Sequence, residues 1–163
     1  MLKKLFALPL VFLLLCGCAQ NKTATPILND ISFSAKIDYG ENEFVANITV
    51  TDDTLNLAVI EPKEINGLIL NITKNGVTAE FKGISYAPDI TSLPHGAVIK
   101  VLYNILNDIS SGKTANCDNE NCEITGKVDG YKYNFEFSPS GLPISLKVDE
   151  LDLEIDFKNV TIN

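Results

Sequence analysis

The sequence predicts a mainly β fold of the α+β type. The expected architecture is a curved antiparallel sheet of about nine strands forming a half-barrel, with one amphipathic helix across its concave face. Three observations carry this prediction. Apolar and polar residues alternate at period two through most of the chain after Ile31. Short turn sequences interrupt that alternation at hairpin spacing. Only one segment, from about Pro94 to Ser110, changes to a helical period.

At the N-terminus, Lys3 and Lys4 precede an apolar run from Leu5 to Leu15. This is a positive n-region and an h-region of secretory length, too short for a permanent membrane span. The run ends in Leu15-Cys16-Gly17-Cys18, which resembles the lipobox of bacterial lipoproteins. The resemblance implies cleavage after Gly17 and acylation of Cys18 by palmitate-type chains. Cys16 cannot take that role, because bulky Leu15 would stand where a small residue is needed. Residues 1–17 are therefore expected to be a lipoprotein signal peptide, 18–30 a tether, and 31–163 a single β domain. From Gln20 to Asp30 the tether is polar and contains Pro26. A flexible segment of that length reaches about 15–20 Å.

The strands follow in order. Phe33, Ala35, Ile37 and Tyr39 face one way, and Ser34, Lys36 and Asp38 the other. The same period recurs at Phe44/Ala46/Ile48/Val50, Leu55/Leu57/Val59, Leu68/Leu70/Ile72 and Val77/Ala79/Phe81. A polar face opposite an apolar one marks half-buried antiparallel strands. Gly40-Glu41-Asn42, Asp52-Asp53, Glu61-Pro62-Lys63 and Asn75-Gly76 divide them, Asn75-Gly76 being the clearest hairpin signal. After the helical segment come Cys122/Ile124/Val128, Tyr131/Tyr133/Phe135/Phe137, Ile144/Leu146/Val148 and Leu151/Leu153/Ile155/Phe157. Asp129-Gly130, Ser138-Pro139-Ser140-Gly141 and Asp149-Glu150 separate these.

Ser92-Leu93-Pro94 offers a cap and a first-turn proline. Beyond it Val98, Leu102, Ile105 and Ile109 fall on one helical face, widened by Ile99 and Leu106, and Ser111-Gly112 stops the helix. A helix of this length is about 25 Å long and 10 Å wide, whereas nine strands span roughly 40 Å. One helix covers roughly a quarter to a third of that apolar face. The sheet must then curl, close or find a partner, because each stranded apolar side chain forgoes about 1.5–3 kcal/mol. A curled sheet under a thin lid encloses an apolar cavity. Phe44, Leu57, Leu70, Phe81, Leu102, Ile105, Tyr133 and Phe135 are the candidates to line it. For the stripe Tyr131/Tyr133/Phe135/Phe137, core packing competes with cavity lining.

A leader, a long antiparallel meander, one helix and a return to strands are similar to the lipoprotein-carrier (LolA/LolB-like) fold. The segment Phe44–Tyr86 carries most of the likeness, with Asn66-Gly67-Leu68 and Gly76-Val77 leading to Phe81-Lys82-Gly83-Ile84. The resemblance implies an apolar cavity that takes lipid, acyl chains or a lipidated partner. Lipoproteins of this fold also act in spore germination, which implies an alternative role as an envelope protein-interaction module without a lipid ligand. Two family features are missing: Pro26 to Ile31 is too short for the helix before the first strand, and the chain has no arginine.

Composition narrows the field further. The formal charge is −8 and becomes −10 without Lys3 and Lys4. Such an acidic body is repelled by nucleic acid and by anionic headgroups, so the expected attachment is the acyl anchor on the extracytoplasmic face of the cell membrane. Cys117 and Cys122 read as a disulfide in an exported chain; the C-x4-C spacing lacks the second pair of a structural metal site. His95, the sole histidine, has no nucleophile motif to serve, and no cofactor fingerprint occurs. A non-enzymatic protein without cofactor or metal is expected.

Overall fold

The computed structural model describes residues 22–118 and 120–163, the side chain of Lys22 excepted. The signal peptide and Cys18 lie outside the described residues. Seven strands precede the helix: β1 (Lys22–Ala24), β2 (Ile31–Tyr39), β3 (Asn42–Thr51), β4 (Thr54–Glu61), β5 (Ile69–Thr73), β6 (Gly76–Phe81) and β7 (Ile84–Tyr86). After helix α1 (Val98–Ser110) come β8 (Ala115–Cys117), β9 (Cys122–Val128), β10 (Tyr131–Phe137), β11 (Pro143–Val148) and β12 (Leu153–Ile162). All twelve form one antiparallel sheet in the order β1-β8-β9-β10-β11-β12-β2-β3-β4-β5-β6-β7. The sheet is open, with β1 and β7 as its edges.

Among the described residues the count is twelve, where about nine are expected from alternation. The three additional strands, β1, β7 and β8, have three residues each, too few to display a period. Elsewhere the pattern works as physics requires. In β2 the even positions of the strand face solvent and Ile31, Phe33, Ala35 and Ile37 are buried. Asp129 and Gly130 both have positive φ, 52° and 95°, and join Val128 to Tyr131 in a two-residue hairpin of the I′ kind. The β5–β6 hairpin forms one residue earlier than Asn75-Gly76 suggests. Thr73 pairs with Gly76, so the turn is Lys74-Asn75, and the Thr73 hydroxyl accepts the Asn75 N–H at 3.1 Å.

Helix α1 starts at Val98 rather than Pro94. Asp89, not Ser92, caps a local turn, its Oδ1 accepting the Thr91 N–H at 2.8 Å ahead of the 3₁₀ turn Ile90–Ser92. Gly96 explains the delay. A β-carbon there would lie 3.2 Å from both Leu151 Cδ2 and Tyr39 Oη, so the chain threads a gap before it can coil. Glycine and proline also resist helix formation. Ile99, Val101, Leu102, Ile105, Leu106 and Ile109 are the buried face. The helix backbone comes closest to β9 on one flank and to β4 and β5 on the other. Five strands separate those flanks in the sheet, so it rises on both sides of the helix as a curved half-barrel. No helix among the described residues is long and apolar enough to cross a membrane.

Beneath the helix the interior is filled. Phe33 meets Phe157 edge-on at 4.8 Å between ring centroids, and Phe135 lies 6.2 Å from Phe157 and 5.9 Å from Phe137. The described part of the segment expected to be a tether is folded onto the domain. Lys22–Ala24 pairs with Ala115–Cys117, the Ile27 N–H bonds the Gly141 carbonyl at 2.8 Å, and Leu28 is buried. Ile27-Leu28, a short apolar pair in a polar stretch, supplies the reason.

Candidate functional site

An apolar cavity of about 240 Å³ lies between the β4–β6 side of the sheet and the start of α1. Strand alternation builds its floor. Register places Ile48, Leu57, Leu70, Ala79 and Tyr86 in one row across β3 to β7 on the concave face. Ile48 and Leu57 are sealed, Leu70 and Ala79 are half-buried, and Tyr86 is 66 % exposed. Burial thus falls outward along a single row as the helix runs out of reach. Phe44, Val59 and Val77 flank this floor. Ile65 and Leu68 from the β4–β5 loop, Pro88 and Leu93 from the loop ahead of α1, and Val98 at the helix start form the rim. Two features leave the space open: Ala79 is small, and the chain from Pro88 to Ala97 is a loop where a helix would have covered more.

Three of the eight candidate residues, Phe44, Leu57 and Leu70, line this cavity. Leu102, Ile105 and Phe135 are sealed inside the packed centre instead, between the helix and the middle of the sheet. Tyr133 is buried there too, with its hydroxyl turned to polar partners. Phe81 stands half-buried on β6 outside the cavity, with the Lys82 ammonium 4.7 Å above its ring. Val59, Leu68, Ala79 and Val98 belong to the periodic sets visible in the sequence. Ile65, Pro88 and Leu93 sit in loops, where no period marks them.

A polar cluster closes the far end of the helix. The Tyr133 hydroxyl donates to Asp108 Oδ2 at 2.6 Å, and Lys113 Nζ donates to the same oxygen at 2.6 Å and to Tyr133 Oη at 3.0 Å. Burial, and then the bond to Asp108, push the Tyr133 hydroxyl above its ordinary pKa. The hydrogen bonds to Asp108 and Tyr133 hold the Lys113 ammonium above its usual value. Burial opposes the Asp108 charge, but the bonds from Lys113 and Tyr133 outweigh it and keep the carboxyl below the usual range. This arrangement neutralises its own charge and ties the helix end to β10.

Cys117 and Cys122 are disulfide-bonded across the β8–β9 turn. Asp118 within that turn accepts the Glu120 and Asn121 N–H groups at 2.8 and 2.6 Å. Its carboxyl is thereby held below the ordinary range, chiefly by the Asn121 bond. His95 is exposed on the loop before α1.

No family model and no curated protein matches the chain. Among solved structures it is similar to an uncharacterized conserved protein of Thermus thermophilus, with a TM-score of 0.51 and 8 % identity over 84 % of this chain and 80 % of that one. A LolA superfamily protein of Nitrosomonas europaea aligns at a TM-score of 0.43 and 7 % identity, over 85 % of this chain and 88 % of its own. At such identity the likeness to the Thermus protein is one of fold.

Proposed function

We propose that the protein is a membrane-anchored extracytoplasmic lipoprotein, without enzymatic activity, that takes an acyl chain into the cavity beside α1. The observation that carries this reading is the chemistry of the lining: aliphatic and aromatic side chains on every wall, at the open side of a concave sheet. A space of about 240 Å³ lies below the usual range for whole ligands, about 300–1,000 Å³, and suits part of one chain rather than an entire lipid. Each methylene buried there contributes about 0.8 kcal/mol. The lipobox resemblance of Leu15-Cys16-Gly17-Cys18 supplies the anchor. From Cys18 to Lys22 the chain spans at most roughly 14 Å, so the domain would stand close to the bilayer.

Native mass spectrometry of residues 19–163, which hold every described strand and the helix, tests the ligand. Incubation with a long-chain fatty acid is expected to give a mass adduct that disappears in Ala79→Phe, where the new ring fills the cavity. An unmodified mass for the wild-type chain would overturn acyl binding.

The filled centre of the half-barrel favours a second reading. With Phe33, Phe135 and Phe157 packed beneath α1, the domain can stand without a ligand and act as an envelope protein-interaction module. Full stability of the lipid-free chain together with a clean apo mass would favour it.

A further inference from the structure

We infer that the β7 edge is a docking strand for a second copy of this chain, joined antiparallel about Ser85 so that two twelve-stranded sheets become one. Lys82 and Gly83, with φ of 51° and 79°, close a two-residue hairpin between Phe81 and Ile84. In such a hairpin the closing pair, Phe81 with Ile84, exchanges hydrogen bonds, and so does Ala79 with Tyr86 two residues on. Alternation then turns the Ser85 N–H and C=O outward, away from β6. A strand whose outward groups centre on one residue is self-complementary: two copies related by a twofold axis exchange Ser85 N–H···O=C bonds in both directions.

The side chains agree with that register. Ile84 and Tyr86 are 74 % and 66 % exposed, on the concave side with Ala79 and Phe81. Pairing about Ser85 sets Ile84 opposite Tyr86 of the second copy, twice, in the close non-hydrogen-bonded positions where β-branched and aromatic residues pack best. Charge agrees as well. The same register brings Lys82 within one residue of Asp89 of the second copy, again twice. Lys82 has no ion-pair partner among the described residues. Asp89 uses Oδ1 for the Thr91 turn, and its Oδ2 carries no hydrogen bond among the described residues. Two lysine–aspartate contacts therefore offset part of the repulsion between acidic bodies. The opposite edge strand, Lys22-Thr23-Ala24, offers no apolar pair.

Sedimentation velocity of residues 19–163 over a concentration series is the test. A monomer–dimer equilibrium is expected, and Ser85→Pro should abolish it. Proline there removes only an outward N–H, which an edge strand tolerates, so the monomer's circular dichroism should be unchanged. Lys82→Glu and Asp89→Lys should each weaken self-association about tenfold or more, while an equimolar mixture of the two recovers the dimer. A monomer at every concentration, or a dimer indifferent to Ser85→Pro or to the charge swap, would overturn the inference.

Discussion

The ring of Tyr133 lies against Gly126, its cross-strand partner, so closely that a β-carbon at Gly126 would overlap the ring atoms. The glycine in the middle of β9 thus sets the path by which Tyr133 reaches Asp108. Gly126→Ala is expected to push the ring aside and cost about 1–3 kcal/mol, the range for overpacking a close-packed site. Urea unfolding measures it. A change under about 0.5 kcal/mol would mean that the ring moves freely and that the cluster at the helix end is loosely held.

Tyr133→Ala asks whether the aromatic stripe belongs to a solid or a hollow interior. Tyr133 is buried beside Phe135, so truncation is expected to cost about 3–5 kcal/mol and leave acyl uptake in the stable fraction unaltered. A variant of near-normal stability with impaired fatty-acid binding would place the ligand in the centre of the half-barrel.

The Asp108–Lys113–Tyr133 cluster predicts a pH dependence of defined sign. The folded-state pKa of Asp108 is lowered, so its contribution is complete above the unfolded carboxylate range, near pH 4, and is lost as pH falls through the folded value. The stability gap between the wild-type chain and Asp108→Asn should be widest near neutrality and close below about pH 4. The folded values of Tyr133 and Lys113 are raised, so their share is present below about pH 10 and fades as pH climbs past them. Denaturation series at both extremes check the two signs.

Much of the fold was legible because its cause is local. Asp129-Gly130 forces its hairpin by backbone conformation alone, and alternation in β2 follows from facing a core on one side. Where tertiary contact decides, the sequence was silent or misleading. Pro94 reads as a helix start, yet the threading of Gly96 between Leu151 and Tyr39 delays the helix to Val98. Ile27 and Leu28 look like part of a tether until the Gly141 carbonyl and the core claim them. The cavity shows the same division. Leu57 and Leu70 share a face by period, but which apolar residues remain open depends on where the helix stops, and so Leu102, Ile105 and Phe135 are sealed while Ile65 and Leu93 reach the rim.

Among the described residues, Cys117 and Cys122 form the sole register pair between β8 and β9, and they are joined by the disulfide. A cross-link closing so short a loop contributes about 2 kcal/mol. Reduction, or a double change to serine, should leave β9 to β12 intact but free the outer edge. Hydrogen exchange of Ala115–Cys117 and of Thr23 and Ala24 is expected to accelerate with little change in β10. Uniform acceleration across the sheet would show that this edge unfolds only with the whole domain.

Gly141 decides whether the N-terminal segment stays on the domain. Its φ of 91° is unfavourable for any side chain, and a β-carbon would stand 2.9 Å from the Thr25 carbonyl oxygen and 3.0 Å from Ile27 Cγ1. Gly141→Ala is therefore expected to lose about 1–2 kcal/mol from backbone strain and to lift Thr25–Leu28 from the β10–β11 turn. Release of that segment unloads β1, whose three residues pair, among the described residues, only with β8. Tryptic cleavage after Lys22 should then quicken more than cleavage after Lys132 within β10. Equal acceleration at both sites would show that the substitution weakens the whole sheet, and that Gly141 holds no separate latch on the N-terminal strand.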